Sequence, residues 1–260
     1  MTTAACCVIG DEILSGKTQD TNSHYLGKQI DQRFESVVNS SQAKTLFQLG
    51  IELKTIQVVG DDQQAIAQSI KELASSYDIV FTSGGIGPTH DDITFASIAH
   101  AYGLEMRLDQ DTYDYIKLQA EKRGQKLTKY HAAMATFPYP ARLIRVARIP
   151  IVMVKNIYIL PGIPRLFELL VDLLRSSLPS STQFYRYQIA TNKPEATVAD
   201  ILDRFQTERA DPLGIKIGSY PVWNKHLIVT VSGQNKQHLL DIRQALMHAI
   251  EGWVYESSQL

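Results

Sequence analysis

The stretch that most constrains this chain is Asp78-Ile-Val-Phe-Thr82, which runs directly into Ser83-Gly-Gly-Ile-Gly-Pro-Thr-His-Asp-Asp-Ile-Thr94. Its centre is apolar on both faces, so it must be covered on both faces, the condition of a parallel strand between helices. Gly84, Gly85 and Gly87 then let the backbone approach a ligand and take conformations closed to other residues. N–H groups of that loop, and of the helix expected after it, would point at an anion such as phosphate. Thr89, His90, Asp91 and Asp92 follow at once and could hold a hard divalent cation.

Neighbouring segments place other acids on the same rim. Ala4–Gly10 reads as the first strand and ends in Gly10-Asp-Glu-Ile-Leu-Ser-Gly16. Asp20-Thr-Asn-Ser23 offers caps for a helix through Leu26 and Ile30. In an open α/β sheet ligands bind beyond the carboxyl ends of the strands, which brings Asp11, Glu12 and Asn22 to the level of the glycine loop. Glu52–Val59 reads as the second strand; Asp61 or Asp62 caps the helix carrying Ile66, Ile70 and Leu73. The alternation strand, helix, strand, helix, strand, loop, helix indicates a doubly wound, mostly parallel sheet in three layers.

A helix is expected over Asp109–Gly124, and a hairpin turning at Lys155-Asn156 leads into Pro161-Gly162-Ile-Pro164. The next helix shows Leu166, Leu169, Leu170, Leu173 and Leu174 as its apparent packing stripe. Arg142, Arg145 and Arg148 read as the coat of a strand or as phosphate ligands. Past Ser180-Ser-Thr182 the pattern restarts as strand, helix, strand, strand, helix, a small α+β unit. Domains are therefore expected at 1–180 and 181–260.

Bulk properties exclude more than they assign. The 260 residues carry a net charge of −1, which gives no reason to expect nucleic acid or an anionic membrane as partner. No apolar run approaches the roughly 20 residues that cross a bilayer, and no basic, cleavable leader opens the chain. A cytoplasmic protein is the expectation. Cys6 and Cys7 are adjacent on a strand and point to opposite faces, so they form neither a disulfide framework nor a metal knuckle.

Several motifs agree in order with one family. Gly84-Gly-Ile-Gly-Pro-Thr-His-Asp-Asp-Ile-Thr94 resembles the signature of the molybdopterin-binding (MoaB/Mog) domain superfamily. Gly10–Gly16, Thr18-Gln-Asp-Thr-Asn22, Val58-Val-Gly-Asp-Asp62 and Leu160-Pro-Gly-Ile-Pro164 narrow the resemblance to the N-terminal domain of CinA-type proteins and the corresponding domain of eukaryotic FAD synthases. Ile217-Gly-Ser-Tyr-Pro-Val-Trp223 resembles the second subdomain of the FAD synthase form. Glu35–Leu49 is longer than the usual first helix and turn. Neither the amidohydrolase half of CinA nor the FAD-synthesising half is expected here.

The resemblance implies a MoaB/Mog-like domain followed by a KH-like α+β domain, and a homodimer. It implies metal-dependent hydrolysis of a dinucleotide pyrophosphate of the FAD or ADP-ribose type, releasing AMP. On that reading Asp92, Asp91 and Glu12 hold a divalent ion (Mg, Mn or Co, with or without a monovalent cation), and His90 either shuttles a proton or makes a hydrogen bond at the helix start. Backbone N–H groups of Gly84, Gly85 and Gly87 hold one phosphate; Ser83, Thr89 and Asn22 donate to phosphate or ribose oxygens, and Asp11, Pro161 and Gly162 complete the binding wall. The alternative is a non-hydrolytic binder of molybdopterin or nucleotide, related to molybdenum cofactor biosynthesis. The acids favour hydrolysis, because an anion site has no use for added negative charge without a cation.

Overall fold

The computed structural model describes residues 2–27, 50–179 and 184–255, which form two compact units. The expectations for Ile30 and for Glu35–Leu49 lie outside the described residues.

The first unit is built on a six-stranded sheet. Its strands are β1 (Thr2–Ile9), β2 (Ile51–Val59), β3 (Ile79–Ser83), β6 (Arg142–Ile144), β7 (Ile151–Val154) and β8 (Ile157–Leu160), in the order β2-β1-β3-β8-β7-β6. β2, β1, β3 and β8 run parallel, whereas β7 and β6 are antiparallel additions. The chain leaves β1 for one neighbour, β2, and returns to the other side as β3. This reversal beside β1 is a topological switch point, and the crevice beyond its carboxyl ends is the natural ligand position.

Burial follows from that centrality. Every residue of β3 is buried, as its apolar centre requires. Ala5, Cys7 and Ile9 share a core with Ile66, Ile70 and Leu73 of α3 (Gln63–Ser76) and Ile98 of α4 (Thr94–Tyr102). Cys6 and Cys7 are both fully buried because helices cover both faces of β1. The other layer contains α2 (Asn22–Gly27) and α7 (Pro164–Leu174), which pack on each other, with α2 also touching β2.

Local chemistry decides where elements stop. Asp62 is in extended conformation and accepts from Ala65 N at 2.8 Å, so it is the cap of α3, leaving Asp61 for another role. Gly103 closes α4 in the left-handed region at φ 63°. Asp109 caps α5 (Gln110–Lys122), and its carboxylate takes the Arg145 guanidinium at 2.7 Å. Arg145 thus anchors a helix start. The stretch before Pro150 resolves into α6 (Lys129–Ala133), β5 (Thr136–Tyr139) and β6; β5 pairs with β4 (Glu105–Leu108) in a separate ribbon.

The expected packing stripe of α7 is corrected. Phe167, Leu170, Val171 and Leu174 are buried, whereas Leu166 and Leu169 are 38% and 52% exposed. Several leucine phases were available on this helix, and Phe167 carries the inward one with the largest side chain.

The second unit has an antiparallel sheet of order β10-β11-β9-β12: β9 (Tyr185–Thr191), β10 (Lys216–Pro221), β11 (Leu227–Gly233) and β12 (Trp253–Val254). Helices α8 (Glu195–Phe205) and α9 (Lys236–Ala249) share its core with Ile189, Val198, Val229 and Leu246. The expected strand–helix–strand–strand–helix order is present, with β12 as an added edge. Among the described residues no helix is long and apolar enough to cross a membrane.

Candidate functional site

The glycine loop is held from behind by the strand ends. Gly84 has φ 112°, and a Cβ there would sit on the Ile9 carbonyl oxygen, so only glycine lets β3 leave this close to β1. Its N–H donates to Leu160 O at 3.2 Å and its carbonyl accepts from Thr94 Oγ1 at 2.9 Å. Thr94 N–H donates to Gly85 O at 2.9 Å. The first amide of α4 is therefore taken by the loop itself.

Asn22 is the clasp behind this wall. Its Nδ2 donates to Ser83 Oγ and to Gly162 O, each at 2.8 Å. A carbonyl can only accept, so the Gly162 bond fixes the orientation of the amide. Asn22 Oδ1 is left buried, with no hydrogen-bond partner among the described residues. The expected donation from Asn22 to a ligand is corrected: the free group is an acceptor, suited to a hydroxyl or a cation. Ser83 is 2% exposed, a Cβ at Gly162 would meet the Gly84 Cα at 3.3 Å, and Pro161 is buried.

Asp92 also has a different place from the one expected. Its carboxylate accepts from Gly87 N at 2.6 Å, from Thr89 N at 2.8 Å and from the Thr89 hydroxyl. These bonds fold the tip of the loop onto itself. Of the three glycine amides expected to hold phosphate, those of Gly84 and Gly87 are committed inside the protein; only Gly85 has its N–H outside this set of bonds. The trio Asp92, Asp91 and Glu12 is not assembled, and among the described residues no three His, Cys, Asp or Glu side chains converge as a metal-binding group.

What the fold does gather is a cleft of about 710 Å3 lined by Asp11, Glu12, Lys17, Asp61, His90 and Asp91, with Ser15 and Ile93. Asp11 and Glu12 come from the short turn of helix α1 (Asp11–Leu14) after β1, Asp61 from the end of β2, and His90 and Asp91 from the loop after β3. Asp11 and Asp61 exchange backbone bonds: Asp11 N donates to Asp61 Oδ2 at 3.0 Å and Asp61 N to Asp11 Oδ1 at 3.3 Å. Each carboxylate keeps its second oxygen outside that exchange. Burial pushes the Asp61 acid above the usual carboxylate range; the Asp11 amide opposes this, and the charges of Asp11, Glu12 and Asp91 add to it. The cleft therefore holds uncompensated negative charge.

His90 reaches no helix start; its side chain is 94% exposed, with Nδ1 4.0 Å from Asp91. Asp61 is the residue that sequence reasoning undervalued. In Gly60-Asp61-Asp62 either acid could cap α3, and a signal was present only in the requirement that one of them be left over.

Comparison with known proteins finds likenesses in both units. The family described as "Probable molybdopterin binding domain" matches residues 5–179, and "FAD synthase, middle domain" matches residues 183–259. A "Probable FAD synthase" of Caenorhabditis briggsae is 30% identical over 97% of this chain and 50% of its own length. A "CinA-like protein" of Myxococcus xanthus is 32% identical over 63% of this chain and 36% of its own. This chain thus spans half or less of the length of these two relatives. The crystal structure of the protein CinA, "with unknown function", from Thermoplasma acidophilum is 30% identical and covers 68% of this chain and 97% of that one, with a TM-score of 0.53.

Proposed function

Because this chain belongs to the molybdopterin-binding (MoaB/Mog) domain family, in the branch of CinA-like proteins and FAD synthases, we propose that it hydrolyses a dinucleotide pyrophosphate of the FAD or ADP-ribose type and releases AMP. The observation that carries this reading is the gathering of Asp11, Glu12, Asp61 and Asp91 in one cleft beside the glycine loop. A site for phosphate alone would be disfavoured by four carboxylates; a site for phosphate with a divalent cation is favoured by them.

The donor set fits such an ion. All four groups offer hard oxygen; burial raises the Asp61 acid, and the charges of Asp11, Glu12 and Asp91 add a repulsion that a cation would relieve. Magnesium is commonly held by one or two carboxylates, with water and substrate phosphates completing the shell, so convergence of three side chains is not required. One or two of Asp11, Glu12, Asp61 and Asp91 would hold it, with substrate phosphates; Asp92 serves instead to brace the loop. When bound, the ion neutralises the bridging phosphates and acidifies water near them.

The chain's own groups then have separable tasks. Lys17, in the same cleft, meets phosphate charge. Asn22, Gly162 and Thr94 hold the loop rigid, so the phosphates meet a preformed surface. His90, exposed beside Asp91, takes or gives a proton at the departing phosphate. In the reaction a water oxygen bonds to one phosphorus, the bridging P–O bond breaks, and the other phosphate leaves with its oxygen. FAD gives AMP and FMN; ADP-ribose gives AMP and ribose 5-phosphate.

The test is release of AMP from FAD and ADP-ribose with Mg, Mn or Co and with EDTA. Turnover should require the metal, and Glu12→Gln and Asp61→Asn should each lower kcat by about 10²-fold or more. Full metal-dependent turnover in both variants would sink the assignment. Tight pterin binding without turnover would support the non-hydrolytic reading.

A further inference from the structure

Two clefts touch the loop that follows β3, one at His90 and Asp91 and one at Pro88. The cleft at Pro88, of about 620 Å3, is one that the hydrolytic reading does not use. Its wall on the loop side is Pro88, one residue before Thr89 and two before His90 of the acidic cleft. The opposite wall is built by Tyr115 and Ile116 of α5, Tyr130 of α6, and Ile149. No carboxylate lines it, and its fixed charge is Arg123. Tyr130 and Ile149 remain 45% and 40% exposed there.

We propose that this second cleft seats the planar heteroaromatic base of the dinucleotide, with its phosphates on the loop that both clefts touch. The proposal rests on the pyrophosphatase reading for the identity of the whole ligand, but its own observations are independent of the carboxylates. The volume is within the ordinary range of about 300–1,000 Å3 for a small-molecule pocket. Tyrosine rings offer faces on which a base stacks, and the stacking is tolerant of the base's identity. Gln119 and Gln125, also in the lining, carry amides that can meet a ring's polar edge. The asymmetry of the two clefts gives the ligand a direction: uncharged ring in the cleft without acids, phosphates on the loop, and the cation in the cleft that has them. Adenine and isoalloxazine share this chemistry, and binding measurements separate them.

The experiment uses the full chain and titration calorimetry with AMP, FMN and ribose 5-phosphate, the last being a phosphate without a base. Tyr130→Ala and Ile149→Lys alter exposed cleft positions, and α6 has no buried residue, so both variants should keep the wild-type melting temperature. AMP or FMN affinity should fall roughly ten-fold or more in Tyr130→Ala, the factor expected on losing one stacked ring, with ribose 5-phosphate binding unchanged; Ile149→Lys, which puts a charge against the seated ring, should lower AMP or FMN affinity relative to that of ribose 5-phosphate. Whichever nucleotide responds names the base. Wild-type affinity for AMP and FMN in both variants, or no binding of either by the wild type, overturns the proposal. Absence of AMP release with base-dependent binding intact overturns the hydrolytic reading and leaves this cleft standing.

Discussion

Asp61 and Asp92 show how the same side chain takes different work from its surroundings. Asp92 accepts three hydrogen bonds inside the loop, whereas Asp61 stands among other acids with its own acidity weakened. A carboxyl whose folded pKa is raised binds its proton more tightly in the folded state than in the unfolded one. Its ionisation therefore opposes folding above the folded pKa, and the penalty fades as pH falls from there towards the ordinary value near 3.8. Asp61→Asn should accordingly melt above the wild type at neutral pH, with the gap closing in acid and narrowing when magnesium is added. Thermal melts across pH 3–8 read this directly, and a gap that widens in acid would be the wrong sign. Burial also pushes the Cys7 thiol up to about 12 and raises Cys6, whose increase is added to by Cys7 and Asp20. Neither thiol should react with an aromatic disulfide reagent until the protein is unfolded; rapid labelling of the native chain would contradict the covered position of β1.

Elements are set by which face finds a partner. On α7, Phe167 is fully buried while Leu169 faces outward. Phe167→Ala should cost about 3–5 kcal/mol, and Leu169→Gln should change stability by no more than about 0.5 kcal/mol, both read by urea denaturation. Equal effects would restore the leucine stripe. The β3–α4 connection works through its backbone, with Gly84 wedged against Ile9 and Gly162. Asn22 ties that connection to the turn after β8. In Asn22→Asp a carboxylate would face the Gly162 carbonyl with no proton to donate, which should destabilise the fold by about 1–3 kcal/mol. A melting temperature equal to that of the wild type would show that the clasp carries no energy.

Across the whole molecule two cores divide the labour. Every residue lining the acidic cleft comes from the first unit, and the second has a core of its own around Ile189, Val229 and Leu246. Ile189→Ala should weaken the second unit by about 2–5 kcal/mol. AMP release measured well below that transition should keep the wild-type kcat. A proportionate loss of turnover would mean that the second unit takes part in the chemistry.

The sequence by itself determined the alternation of strand and helix, the glycine loop and the acids after β1, β2 and β3, because apolar runs, caps and glycines act over a few neighbouring residues. It also carried the restart of the pattern near residue 184, where the second family match lies. It did not separate Asp61 from Asp62, Phe167 from its leucine neighbours, or a metal-facing Asp92 from a loop-bracing one. Those choices depend on partners distant in the chain: Asp11 for Asp61, the opposing layer for Phe167, and the amides of a folded loop for Asp92. The glycine loop was legible as a close approach of backbone at the strand ends. Only the tertiary structure decided that its amides mostly hold the protein together, and that the acids beside it belong to a cleft assembled from three strand ends.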